Sequence, residues 1–178
     1  MSNRIHRYWT GDAPRPASSI LAGRIASGFG DLTDWTDESL PGPITDLLDQ
    51  HAEEVPEDQR PKHRANIVRY ALLSQFGGLW MDHDVVLMNI PFRGMSPWIA
   101  ASNSHIVNSI IFSPAGDPHL SQAIAAISPA DTSYEASGGG MLERIWTDVQ
   151  RINLPWSYEG VRDREVQPWA LHFWASKS

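Results

Sequence analysis

Between residues 63 and 76, apolar side chains fall at Ile67, Val68, Ala71, Leu72 and Phe76, the three- and four-residue steps of one helix face. Gly77-Gly78 follows at once and predicts an abrupt end, because glycine accepts the left-handed cap conformation. Leu79-Trp80-Met81 then reads as a short apolar strand, and residues 85–88 form a second apolar run. Between the two runs stand Asp82-His83-Asp84. A helix turned directly into an apolar strand that ends in two carboxylates constrains the chain to a fold in which helices and strands alternate.

The remaining pattern agrees. Residues 4–9 read as a first strand, 17–26 as a helix stopped by Gly28 and Gly30, and 32–35 as a short second strand. Pro41-Gly42-Pro43 breaks the chain before a helix over 44–54, and residues 56–61 read as a polar connection. Strands are expected at 98–102, 106–112 and 166–174, and helices at 118–127 and 141–152. No internal repeat or long linker interrupts the series. A length of 178 residues fits one domain, here residues 1–178. The expectation is an α/β single-domain sandwich around a mainly parallel sheet.

Composition excludes several chemistries. There are no cysteines, so thiolate metal sites, disulfides and cysteine nucleophiles are ruled out. The formal net charge is −7, and no basic face of the kind nucleic-acid binders display is visible. No stretch approaches the ~18 consecutive apolar residues of a membrane span, and the first nine residues lack the apolar run of a signal peptide. A cytoplasmic protein is expected. Eight tryptophans are many for this length; they read chiefly as core, with stacking on a sugar or a base as the alternative.

The chemistry concentrates at Asp82 and Asp84. If the strand continued through them, both would point to the same face, with His83 opposite in a structural role. Two carboxylates held that close repel unless a cation or a proton lies between them. Hard divalent cations such as Mg2+ or Mn2+ take oxygen ligands and are commonly shared between protein carboxylates and substrate phosphates. A solvated turn is the plain alternative for an Asp-X-Asp sequence. The loop Ser137-Gly138-Gly139-Gly140 reads either as a backbone donor to a ligand or as a simple turn before a helix.

The stretch with Arg69-Tyr70, Gly77-Gly78 and Asp82-His83-Asp84 resembles glycosyltransferase family 32, whose members carry a GT-A fold. The opening Ile5-His6-Arg7-Tyr8-Trp9 is similar to that family's first strand, Trp35-Thr36-Asp37 to the end of its second, and residues 108–120 to its next block. Leu171-His172-Phe173-Trp174 resembles its C-terminal histidine motif, with a similar late histidine in family 8. The resemblance implies a retaining hexosyltransferase that uses a nucleotide-sugar, a UDP-sugar sooner than a GDP-sugar, and Mn2+ or Mg2+. It implies Asp82, Asp84 and Arg69 as the catalytic set and Asp82, Asp84 and His172 as metal ligands. Ile5, His6, Trp9, Trp35, Asn66 and Lys177, together with Arg69 and Asp82, would line the donor. Many relatives place an aspartate where this chain has Asn66, which keeps hydrogen-bonding capacity without the charge. The acceptor, whether glycan, lipid or protein, and the oligomeric state are not indicated.

Two other readings compete. Met81-Asp82-His83-Asp84-Val85-Val86 also fits the first motif of haloacid-dehalogenase-like phosphatases, with Asp82 as nucleophile, but that motif normally ends the first strand and is followed by further acidic motifs absent here. A carbohydrate-binding protein without catalysis is the third.

Overall fold

A computed structural model describes residues 4–11, 13–88, 96–102, 105–131, 133–153 and 170–172. The chain alternates as expected at its start: β1 (Arg4–Trp9), α1 (Ala17–Ala26), β2 (Asp31–Thr36), then α2 (Gly42–Ala52) and α3 (Arg60–Phe76). It continues with β3 (Gly78–Met81), β4 (Val85–Leu87), β5 (Trp98–Ser102), β6 (His105–Ser113) and α4 (Pro118–Ala126). Two short helices, α5 (Tyr134–Ser137) and α6 (Gly139–Ile145), precede β7 (Gln150–Asn153) and β8 (Ala170–His172).

Six strands form one sheet in the order β2-β1-β3-β6-β5-β7. β2, β1 and β3 run parallel, β6 is antiparallel to both of its neighbours, and β7 runs parallel to β5. The sheet is therefore mixed and mainly parallel, as the alternation predicts. β4 and β8 form a separate antiparallel ribbon.

Two apolar layers flank the sheet. On one face Tyr8, Trp80 and Ile111 pack against Ile44 and Leu48 of α2, Ile67, Val68 and Leu72 of α3, Leu120 of α4 and Leu142 of α6. On the other, Ile5, Leu79, Met81 and Ile110 pack with Ala26 of α1, Val85 and Leu87 of β4 and Ala170 of β8. The period of two within β1 and β3 supplies both layers from the same strands.

The structure departs from the sequence pattern at two places. The helix expected over 141–152 ends at Ile145, and Gln150–Asn153 is a strand on β5. Met141, Leu142, Ile145, Trp146 and Val149 keep helical spacing, but the open edge of β5 offers backbone partners that a longer helix would leave unmet. Gly77 does cap α3, but with φ 61° and ψ −179° it lies outside the left-handed helical region, in backbone space almost exclusive to glycine.

Candidate functional site

The topology itself selects a location. β1 lies between β2 and β3 and connects outward to one side and then to the other. In open α/β sheets the crevice at the carboxyl ends of strands where the order reverses is the ordinary place for a ligand. Here that crevice opens between Trp9-Thr10 after β1 and Asp82-His83-Asp84 after β3.

Asp82 is fixed from three directions. Its amide donates to the Ser109 carbonyl of β6 at 2.8 Å, which extends the ladder one residue past the strand. Its Oδ1 accepts from Arg69 Nη2 at 2.8 Å and from Trp80 Nε1 at 2.7 Å. Arg69 is itself buried in α3 and lies over the Trp80 ring, 5.1 Å from its centroid. This packing leaves a guanidinium facing a half-buried carboxylate at the crevice floor, where low water content strengthens the pair.

A neutral network continues from that ion pair. Arg69 Nη1 donates to Asn66 Oδ1 at 3.0 Å, as Asn108 Nδ2 does at 3.1 Å. Asn66 Nδ2 donates to Ser137 Oγ at 3.1 Å, and Tyr70 donates to the Ser137 carbonyl at 3.3 Å. The end of α5 at Ser137 is thus tied to the helix that carries Arg69. Trp80 and Asn108 are parts of this network that sequence reasoning does not single out; both sit in apolar strands, and their only signal is a polar atom at a strand position facing α3.

The strand stops at Met81, so Asp84 lies on a turn closed by the Val85 amide donating to the Asp82 carbonyl at 3.1 Å. The same-face argument for the two aspartates therefore does not apply; proximity comes from the turn. His83 points away from the Asp82–Arg69 pair, into a recess walled by Arg7, Ser19 and Trp9. Its ring meets the Trp9 ring edge-on, with centroids 5.2 Å apart. Burial first, then the positive charges of Arg7 and Arg15, push its pKa down to about 3, against smaller upward effects of Asp84 and the Tyr8 backbone.

That shift gives a pH prediction. The folded-state pKa lies below the unfolded value near 6.5, so the contribution of His83 to stability is complete above pH 6.5 and is lost as pH falls toward 3. Below pH 6 the loss should approach about 1 kcal/mol per pH unit. His6 and His63 are shifted the same way by burial, whereas His119 is raised. The diagnostic is consequently a difference: His83→Gln should flatten the slope of urea-unfolding free energy between pH 6 and 4.5 by about that amount. An unchanged slope would show that the ring is not held neutral.

At the carboxyl end of β2, Asp37 gathers a second cluster. It accepts from Thr10 Oγ1 at 2.9 Å and from Arg64 Nη2 at 2.6 Å, with the Tyr8 hydroxyl also donating to it. Burial alone would raise its pKa; these donors overcome that and hold the carboxyl below its usual range. The cluster ties the end of β2 to the end of β1, which forms one side of the crevice, and to Arg64 of α3.

The structure thus brings Asp82, Arg69 and Asn66 into one network, with Asp84 on the same turn and Trp9 against His83. His172 lies on β8, its backbone in register with Val85, next to Asp84; its side chain and Lys177 lie outside the described residues. Ile5, His6 and Trp35 are placed elsewhere. Ile5 is core beneath the sheet. His6 is 1% exposed. Its Nε2 donates to the Gly77 carbonyl at 2.9 Å and its Nδ1 accepts from Trp35 Nε1 at 3.1 Å. Trp35 in turn stacks on Phe76 with centroids 5.8 Å apart. Among the described residues, no group of three histidine, aspartate or glutamate side chains converges as a metal cage.

Solved structures bear on the architecture. The chain is similar to "PaToxG Glycosyltransferase" with a TM-score of 0.62 at 11% identity, over 81% of this chain and 68% of that one. The fold is that of the GT-A glycosyltransferases. A second likeness, to a glycosyltransferase involved in glycosylation of the major capsid of PBCV-1, covers 94% of this chain and 92% of that one at 12% identity, but its TM-score of 0.43 carries no weight. No protein-family model and no curated protein sequence matches the chain. In the GT-A frame, the acidic turn after β3 sits where the sheet topology puts a ligand, and among the described residues no helix is long and apolar enough to cross a membrane.

Proposed function

We propose that the protein is a metal-dependent glycosyltransferase that moves a hexose from a nucleotide-sugar, a UDP-sugar in preference to a GDP-sugar, to an acceptor with retention of configuration. The observation that carries this reading is the buried Arg69 paired with Asp82 at the β1–β3 switch point of a GT-A fold, with Asp84 two residues on.

The donor set suits a hard divalent cation. Asp84 and Asp82 supply carboxylate oxygen, and β8 delivers His172 alongside the same turn. Because Arg69 already offsets much of the charge of Asp82, Asp84 is the better candidate for direct ligation. The metal would supply charge stabilisation to the departing diphosphate. The chain's own contribution is Arg69, whose guanidinium stands on the crevice floor where leaving-group charge grows. Asn66, Asn108 and Ser137 would frame the sugar with neutral donors and acceptors, and Trp9 would offer a ring at the end of β1. Retention is consistent with an acceptor hydroxyl that approaches on the leaving-group face and gives its proton to the departing phosphate oxygen.

A phosphatase reading draws no support from this geometry. Two donors, Arg69 and Trp80, converge on one oxygen of Asp82 and lower its nucleophilicity.

Calorimetry with UDP and with GDP, each with manganese and with excess chelator, tests the proposal. Micromolar-range binding that weakens at least tenfold in chelator is expected. Equal affinity in both conditions would remove the metal from the site, and no binding of either nucleotide would remove the function.

A further inference from the structure

The carboxyl end of the second strand is where dinucleotide-binding α/β sheets place the acidic residue that holds a ribose hydroxyl. Asp37 stands there, directly after β2 ends at Thr36. A carboxylate offers about four lone-pair positions, and donors of the chain itself converge on those of Asp37. Oδ1 accepts from the Tyr8 hydroxyl and, at 2.6 Å, from Arg64 Nη2. Oδ2 accepts from the Thr10 hydroxyl at 2.9 Å and, at a longer 3.4 Å, from the Gly11 amide. Burial, and then Asp37 itself, push the Tyr8 phenol up, so that group keeps its proton and donates. Arg64 offsets the charge of the carboxylate, and its Nε also reaches the Tyr8 oxygen at 3.4 Å. The acid at the ribose position is thus taken up inside the fold. What it gathers is the start of the crevice wall. The β1–β2 ladder ends with Trp9 beside Thr36. Past that rung Thr10 and Gly11 turn onto Asp37, Gly11 with φ +83°, and Trp9 Nε1 donates to the Ala13 carbonyl at 2.8 Å. This segment faces the turn of Asp82 and Asp84 across the crevice.

We infer that Asp37 is a positioning residue for the nucleotide: it does not touch the donor, but anchors Thr10 and Gly11 and so sets the β1 wall of the crevice against which the nucleoside lies. The consequence for binding rests on the glycosyltransferase reading, and the anchoring rests on the geometry alone. An ionised carboxylate suits this task better than a neutral side chain. An asparagine has one accepting oxygen in place of two, and its amide nitrogen would oppose either the Arg64 guanidinium or the Gly11 amide. Hydrogen bonds to an ionised acceptor are also roughly twice as strong as neutral ones. Fixing backbone outside a sheet costs conformational entropy. A wall ordered before the ligand arrives spares the complex that cost, so its loss shows as weaker binding. Arg64 belongs to the same helix as Arg69, and one helix therefore braces both the β1 wall and the Asp82 carboxylate.

Asp37→Asn and Thr10→Val in the full chain test the inference. The amide heteronuclear NOE of Gly11 should fall in both variants, while that of Leu72 in α3 holds. Manganese-dependent UDP affinity should drop about tenfold in Asp37→Asn and about threefold in Thr10→Val, the scale of one or two lost hydrogen bonds. Two analogues, 2′-deoxy-UDP and 3′-deoxy-UDP, separate positioning from contact. Each should bind more weakly than UDP by the same factor in Asp37→Asn as in wild type, because Asp37 has no ribose contact to lose. A penalty for either analogue that disappears in Asp37→Asn would make Asp37 a ribose ligand and overturn the inference. Unchanged order at Gly11 in both variants would overturn the anchoring, and lower order with wild-type UDP affinity would overturn the positioning role. Thr10→Val keeps the Asp37–Arg64 pair and carries the order and affinity tests if Asp37→Asn fails to fold. If wild-type protein binds neither UDP nor GDP with manganese, the glycosyltransferase reading fails, and the positioning role with it, while the order at Gly11 still decides the anchoring.

Discussion

Asp84→Asn should lower turnover of the nucleotide-sugar donor by on the order of a hundredfold or more while leaving the melting temperature within about 2 °C of wild type. The size follows from the role: perturbing even the outer partners of a metal ligand typically costs ~10–100-fold, and a direct ligand costs at least as much. The small thermal effect follows from the location. Asp84 is half-buried on a turn, and an amide of the same shape keeps the packing. Arg69→Met makes the instructive contrast. Arg69 is 4% exposed and donates to both Asn66 and Asp82, so its loss removes two charge-assisted hydrogen bonds, at about 1.5–3 kcal/mol each, and leaves those oxygens to Asn108 and Trp80. That variant should lose activity and stability together. Donor hydrolysis with manganese, followed by release of free sugar, measures the first effect, and thermal melting the second. Wild-type turnover in Asp84→Asn would return the acidic turn to an ordinary surface loop.

The difference between these two residues marks what the sequence shows and what it hides. α1, β1 and β5 coincide with their expected ranges because each is bounded by turn residues and carries a clear period. α3 begins at Arg60, three residues before the apolar pattern does, because Pro61 is tolerated in a first turn where no amide is needed. Pro43 does the same for α2. The β4–β8 ribbon joins residues about 85 apart in the chain, and no local pattern carries that information. The same holds within the site. The spacing of Asp82 and Asp84 is visible in one dimension, whereas the pairing of Arg69 with Asp82 depends on how α3 packs under β3. His6 and Trp35 show the converse ambiguity. Polar and aromatic atoms on the first two strands suggest ligand contacts, yet Gly77 and Phe76 satisfy them inside the fold. A polar atom in a strand does not say whether its partner is solvent, ligand or a carbonyl from elsewhere in the chain.

Gly78→Ala should destabilise the protein by about 3 kcal/mol or more, which at ~2–4 °C per kcal/mol for a chain of this size corresponds to a fall in melting temperature of roughly 6–12 °C. Two costs add. Gly78 has φ +110°, where an L side chain is strained. A Cβ there would also stand 2.5 Å from the Arg4 carbonyl oxygen, a backbone atom of β1 that cannot rotate aside. The close approach is what lets β3 join β1 in register, Ile5 beside Leu79 and His6 beside Trp80, and so delivers Asp82 to the crevice. Gly116 separates the two costs. It has φ +76° but nothing within 4 Å of its would-be Cβ, so Gly116→Ala should show the conformational strain alone, about 1 kcal/mol. Urea unfolding of both variants beside wild type gives the comparison. Equal losses would mean that backbone conformation, and not the β1–β3 approach, is what requires glycine at 78. A much larger loss for Gly78→Ala, with weaker manganese-dependent UDP binding in the fraction still folded, would show that the helix-to-strand turn both builds the sheet and sets the height of the acidic turn above it.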